Sequence, residues 1–192
     1  MEIPDNKSKS ETTHEMQLRP VGVVRSRLKE PSLVADSGDL AWRSRATRAT
    51  EGREVISELV INSDLTGILN GIEGFSHLLV LYWAHLVDTE GRSIIKAHPM
   101  GRKELPLVGI FATCSPARPN TICATVVRLL GKKGNVLKVE GLDALNGSPI
   151  VDIKPYNPSY YPAGDVKVPD WMERIHREFA EGLITGGDSQ QT

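Results

Sequence analysis

Cysteine is scarce in this 192-residue chain, which carries only Cys114 and Cys123. Two thiols do not make a disulfide framework; their spacing matches no metal-ligand motif and no histidine pair accompanies them, so no metal is expected. Long apolar runs are missing too. The longest, Leu78 to Leu86, is interrupted by His85 and falls far short of the roughly 20 residues that span a bilayer. No apolar signal core opens the sequence, so no membrane partner is expected and a reducing cytoplasm is the expected compartment. An excess of either charge is also absent: 23 Lys and Arg against 24 Asp and Glu leave a formal charge of −1. That balance argues against a large sequence-independent grip on nucleic acid, but not against a local patch. No internal repeat is present.

What is there reads as one domain with one core, at 40% hydrophobic residues. Residues 1–17 are polar and aperiodic and read as a disordered tail, as do residues 183–192. Between them, seven segments rich in Val, Ile, Leu and aromatics, bounded by Gly, Pro, Asn or Asp, predict strands: Leu18–Ser26, Val55–Ile61, Phe75–His85, Leu107–Thr113, Ile122–Leu130, Asn135–Glu140 and Pro149–Ile153. Gly131 to Asn135 reads as a hairpin loop and Asn146-Gly147 as a turn. Frequent turns and few helical patterns predict an all-β dominated fold, a small seven-stranded antiparallel β-barrel over residues 18–168, which leaves no exposed sheet edge. Lys29 to Glu54, with scattered apolar anchors only, predicts a long loop or lid. Asp64 to Asn70 predicts one helical turn with Asp64 as its N-cap and Gly71 near its end. Trp171, Ile175 and Phe179 recur every four residues and predict a C-terminal helix within residues 169–182, with Pro169 in its first turn.

Chemistry-bearing residues gather on two loops. In GIFATCSPARPNTI (Gly109 to Ile122), Pro116 and Pro119 stiffen the chain while Ser115, Arg118 and Asn120 offer donors and acceptors. The Arg118 guanidinium fork suits a carboxylate or phosphate; equally, it suits pinning the loop through backbone carbonyls. In SPIVDIKPYNP (Ser148 to Pro158), Asp152, Lys154 and Tyr156 share one parity of a strand, which makes them either an acid/base cluster or a structural ion pair. His77 and His85 bracket an apolar run, and His77 reads equally as a core histidine. Arg19, Arg25, Arg27 and Lys29, then Arg43, Arg45, Arg48 and Arg53, with Lys132 and Lys133 later, form either a wet surface or an RNA-facing stripe.

GVVRS (Gly22 to Ser26), IEGFSHLLVLYWAH (Ile72 to His85), GIFATCSPARPN (Gly109 to Asn120) and GLDALNGSPIVDIKPYNP (Gly141 to Pro158) together resemble the tRNA N6-threonylcarbamoyladenosine methyltransferase family, whose members carry a TsaA-like domain. The resemblance implies a β-barrel that uses S-adenosyl-L-methionine to methylate the N6 nitrogen of threonylcarbamoyladenosine beside the tRNA anticodon. It also implies a homodimer. Cofactor contacts are implied at His85, Cys114, Ala124, Glu140, Gly141, Leu142 and Asp143, with the Asp143 carboxylate on the ribose. Substrate contacts are expected from Arg118 and Asn120, and a catalytic base from Asp152, or from Tyr156 with Lys154 lowering its pKa. The chain departs from the family pattern where Cys114 replaces an expected cofactor-binding arginine, and again at Thr121 and Cys123. Those departures keep open a methyltransferase for another small acceptor, or a nucleic-acid-binding barrel without catalysis.

Overall fold

The computed structural model describes residues 16–42, 55–161 and 164–181. Its strands are β1 (Gly22–Arg25), β2 (Leu33–Asp36), β3 (Asp39–Trp42), β4 (Ile56–Ile61), β5 (His77–Trp83), β6 (Lys96–Ala97), β7 (Val108–Gly109), β8 (Ile122–Lys133), β9 (Val136–Glu140) and β10 (Pro149–Pro155). Six of them close an antiparallel barrel in the order β1-β10-β5-β8-β9-β4. Alternation places Leu59 and Ile61 of β4, Leu78, Val80 and Tyr82 of β5, Val127 of β8, Leu137 and Val139 of β9 and Ile150 of β10 inside, all buried. Burying each such aliphatic side chain contributes about 1.5–3 kcal/mol. Val151 in β10 and Leu130 in β8 are extra residues that shift the register. Such bulges raise local twist and help short strands curl into a closed wall.

The barrel has six strands rather than the expected seven. Of Leu107–Thr113 only Val108–Gly109 is extended, pairing with Lys96–Ala97 outside the barrel, and Ile110–Ala112 forms a 3-10 turn. The apolar run there has no sheet face to bury on: Ile110 turns inward while Leu107 and Phe111 stay 54% and 80% exposed. The described part of the expected lid is a hairpin, β2 with β3, closed by Ser37 and Gly38 at φ of 51° and 78°. It rests on a second small core of Leu40, Ile94, Ala97, Ile110 and Ala117, with Leu33 and Ala35 packed against it. The Asp39 carboxylate fastens it further, accepting from the backbone N–H of His98 at 2.8 Å, pairing with His98 Nδ1 at 2.6 Å and accepting from Lys103 Nζ.

The β8–β9 hairpin loop shrinks to Gly134 and Asn135, because β8 runs on to Lys133 and Gly134 supplies a φ of 60°. The expected helical turn is a 3-10 segment, Ser63–Leu69, whose cap position is Asn62; Asp64 lies in its first turn instead. A five-residue helix, α1 (Thr89–Ser93), is capped by Asp88 accepting from Gly91 N–H at 2.9 Å. The C-terminal helix α2 (Asp170–Ala180) buries Ile175 and is held by Arg102 donating to Glu178. Among the described residues no helix is long and apolar enough to cross a membrane. The two tails assigned to 1–17 and 183–192, apart from residues 16 and 17, and the Arg43–Arg53 cluster lie outside the described residues.

Candidate functional site

One end of the barrel and the β2–β3 hairpin enclose a cleft of about 900 Å³. Tyr82, Cys123, Ala124, Thr125, Asp143, Leu145 and Ser148 line the barrel side; Leu33, Val34, Leu86 and Val87 contribute apolar wall. Among the described residues four carboxylates border the cleft, Glu30, Asp36, Asp88 and Asp143, against one cation, Arg118. Such an imbalance favours a cationic or neutral ligand over an anion.

Asp143 is the most organised of these groups. Tyr82 ends the inward row of β5, so its phenol reaches the barrel mouth and donates to Asp143 Oδ1 at 2.9 Å. Thr125 Oγ1, on the adjacent strand, donates to the same oxygen at 2.7 Å. No described residue donates to Oδ2. Burial, reinforced by the Asp143 charge, holds the Tyr82 phenol far above its usual pKa, so it remains a donor at neutral pH. Burial likewise pushes the Cys123 thiol up, with Asp143 adding to the effect. Both cysteines are free and both border the cleft, Cys114 exposed and Cys123 half-buried.

Arg118 reaches the cleft but spends two of its N–H groups on its own loop, donating from Nε to the Ser115 carbonyl at 2.7 Å and from Nη2 to the Thr113 carbonyl. The loop-pinning reading of the sequence is therefore realised, with Nη1 still unassigned. Asn120 is exposed and outside the cleft lining. His85 is half-buried behind the rim, its Nδ1 3.2 Å from Ser148 Oγ. Glu140 faces outward to Arg128 at 2.8 Å, and the Leu142 side chain is fully buried in the barrel core. Asp152 and Lys154 pair with Leu81 and Leu79 and so lie on the outer wall, where they form an ion pair at 2.6 Å. Tyr156 stacks on Tyr161 with centroids 4.9 Å apart. The structure thus brings Cys114, Arg118, Ala124 and Asp143 together and keeps Asp152, Lys154 and Tyr156 apart from them. His77 is exposed, beside Ser76, rather than a core histidine. Among the described residues no cluster of three or more His, Cys, Asp or Glu is arranged to hold a metal ion.

Tyr82, Thr125, Glu30, Asp36 and Asp88 escaped the sequence reading. Tyr82 had a signal: it is the one polar-tipped residue on the inward parity of β5.

Residues 44–161, more than half of the chain, match the model of the tRNA-methyltransferase O N-terminal domain. The chain belongs to that family. It is 40% identical over 144 residues, 74% of this chain and 90% of the relative, to the Probable S-adenosyl-L-methionine-binding protein of Methanothermobacter thermautotrophicus. It is 39% identical to a protein of the same description from Archaeoglobus fulgidus, over 84% of this chain and only 39% of that longer relative. The crystal structure of TrmO from Pseudomonas aeruginosa is similar at a TM-score of 0.58 and 26% identity, covering 80% of this chain and 61% of that one. The described residues of the family's domain hold the barrel strands β4, β5, β8, β9 and β10 and the Cys114–Arg118 wall of the cleft.

Proposed function

We propose that this barrel is an S-adenosyl-L-methionine-dependent methyltransferase whose acceptor is the N6 nitrogen of threonylcarbamoyladenosine next to the anticodon of tRNA. Family membership supports the reaction class, and the acidic cleft with an immobilised Asp143 is the observation that carries the reading for this chain. The donor set fits the cofactor: a sulfonium and an ammonium suit a cleft of four carboxylates, and Oδ2 of Asp143 is free for ribose hydroxyls. Glu30, Asp36 and Asp88 favour its cationic end. When bound, the cofactor supplies an electrophilic methyl group.

The chain's own residues do the rest by placement. Tyr82 and Thr125 fix the Asp143 rotamer before ligand arrives. Arg118, already pinned through Nε and Nη2, turns Nη1 toward a carboxylate such as that of the threonyl group. Cys123 is kept protonated by burial and so does not compete for the methyl group, since the thiolate is the reactive form. The expected acid/base trio Asp152, Lys154 and Tyr156 stands outside the cleft, so in this scheme the N6 proton passes to solvent rather than to these residues. Accordingly Asp152→Asn should slow single-turnover methylation less than Asp143→Ala does. A homodimer belongs to the same proposal, supported by Ile95 and Phe111, 78% and 80% exposed on the ladder where Ile110 N–H meets the Ile95 carbonyl.

Cys114 at the position of an expected arginine favours one alternative, the same chemistry on another small acceptor. Nucleoside analysis of tRNA from cells with and without the gene separates the two. Loss of a methyl group from threonylcarbamoyladenosine supports the proposed acceptor; unchanged nucleosides refute it.

A further inference from the structure

An acidic cleft repels RNA phosphates, so an enzyme with an RNA acceptor must hold the backbone elsewhere. The outer wall of β1, β4, β9 and β8 carries a dent of about 400 Å³ lined by Arg25, Glu58, Gly131, Lys132, Lys133 and Lys138, with Val136. Register explains its shape. Arg25 pairs with Glu58, Glu58 with Lys138 and Lys138 with Gly131, so one row of side chains crosses four strands and ends at a residue with none. A Cβ at Gly131 would meet open space, which makes it the floor of the dent.

The charges there are not mutually cancelled. Arg25 and Glu58 stand 3.7 Å apart, and Lys132 donates to Glu73 at 3.0 Å, so the nearby acids are already matched. Lys133 and Lys138 have no hydrogen-bond or ion-pair partner among the described residues. From Arg25 the chain continues through exposed Arg27 and Lys29, likewise unpartnered among the described residues, while alternate residues Leu28 and Glu30 line the cleft. This segment is anchored: Asn146 N–H donates to the Leu28 carbonyl at 2.6 Å, and Ser26 N–H donates to Asn146 Oδ1 at 3.2 Å. Exposed cations therefore recur from the far end of β8 through Lys138 and Arg25 to Arg27 and Lys29 at the cleft lip, with Glu58 between Lys138 and Arg25. Thr125 at the cleft and Lys132 in the dent are seven residues apart on β8, roughly 23 Å at strand rise.

We propose that this dent, with Arg27 and Lys29, is the phosphate-binding surface for the RNA whose base enters the cleft. The inference rests on the RNA-acceptor reading above. It assigns the backbone grip to the outer wall and leaves the cleft to cofactor and base, a division between positioning and recognition common in nucleic-acid interfaces.

The test is anisotropy binding of a synthetic anticodon stem-loop RNA to the full chain across a potassium chloride series, with saturating S-adenosyl-L-methionine. Two double variants, Lys133→Gln with Lys138→Gln and Arg27→Gln with Lys29→Gln, are compared with a control pair, Lys167→Gln with Arg177→Gln. Each test pair should lower the slope of log affinity against log salt by about 1.4–1.8, the loss of two phosphate contacts. Affinity should fall on the order of tenfold at physiological salt, with cofactor affinity and melting temperature unchanged. RNA binding with an unaltered slope, an equal effect of the control pair, or polyglutamate binding as tightly as RNA would each overturn the assignment. Cofactor uptake without any RNA binding removes both this surface and the RNA acceptor; RNA binding with the expected slopes but no cofactor uptake removes the methyltransferase reading alone.

Discussion

Asp143 holds its place through two neutral donors, and the consequences can be separated residue by residue. Asp143→Ala deletes the free Oδ2 and should weaken cofactor binding by about 1.5–3 kcal/mol, the usual worth of a hydrogen bond to a charged group. Tyr82→Phe and Thr125→Val leave the carboxylate in place but loosen it, so each should cost less, about 0.5–1.5 kcal/mol. Titration calorimetry on the three variants checks the order; equal losses would show that Asp143 does not act through Oδ2. Arg118 carries a different expectation because two of its N–H groups already hold the loop. Arg118→Lys cannot reproduce that fork, so the melting temperature should drop together with methylation, while cofactor affinity falls less than either. A normal melting curve with full loss of methylation would place Arg118 on the substrate alone.

The hairpin β2–β3 is the element that makes a cleft out of a barrel end, and Asp39 is its fastening. Burial alone would raise the Asp39 pKa, yet hydrogen bonds from Lys103 and His98 overcome it and hold the carboxyl far below the usual range. A depressed folded-state pKa means that the stabilisation is complete above the unfolded value of about 3.9 and is lost as pH falls below it toward the folded value. Asp39→Asn should cost on the order of 2–3 kcal/mol at neutral pH, and should flatten the acid side of the stability curve. Denaturant titrations at pH 7 and in the acid limb check both; identical acid limbs in the two proteins would contradict the assignment. This element was half legible in the sequence. Ser37-Gly38 is a turn dipeptide between short apolar stretches, yet Leu33, Val34 and Leu40 alone do not reveal strands that become stable only on the second core of Ile94, Ala97 and Ile110. The barrel strands were legible because period-two alternation and Gly, Pro and Asn boundaries are local. The seventh strand failed because Leu107–Thr113 is apolar without a partner face. Among the residues lining the cleft, Asp143 was named through the family resemblance, whereas Tyr82 and Thr125 become its neighbours only through barrel closure, which pairs Val80 with Thr125 and Tyr82 with Cys123.

Three surfaces of the whole molecule carry the proposals: the acidic cleft for cofactor and base, the basic outer wall for phosphates, and the apolar ladder at Ile95 and Phe111 for a second subunit. If the ladder is the subunit contact, Ile95→Glu with Phe111→Glu should convert dimer to monomer in sedimentation without loss of the fold; a wild-type chain that is already monomeric at high concentration would remove that surface. The central claim is methyl transfer to threonylcarbamoyladenosine in tRNA. Its most direct measurement is incubation of the purified chain with S-adenosyl-L-methionine carrying a labelled methyl group and tRNA bearing threonylcarbamoyladenosine, followed by nucleoside mass spectrometry. Labelled methyl on N6 of that nucleoside is expected with the wild type, and a strongly reduced yield with Asp143→Ala. Cofactor binding without label on that nucleoside, under conditions where a known family enzyme transfers it, would rule out threonylcarbamoyladenosine as the acceptor.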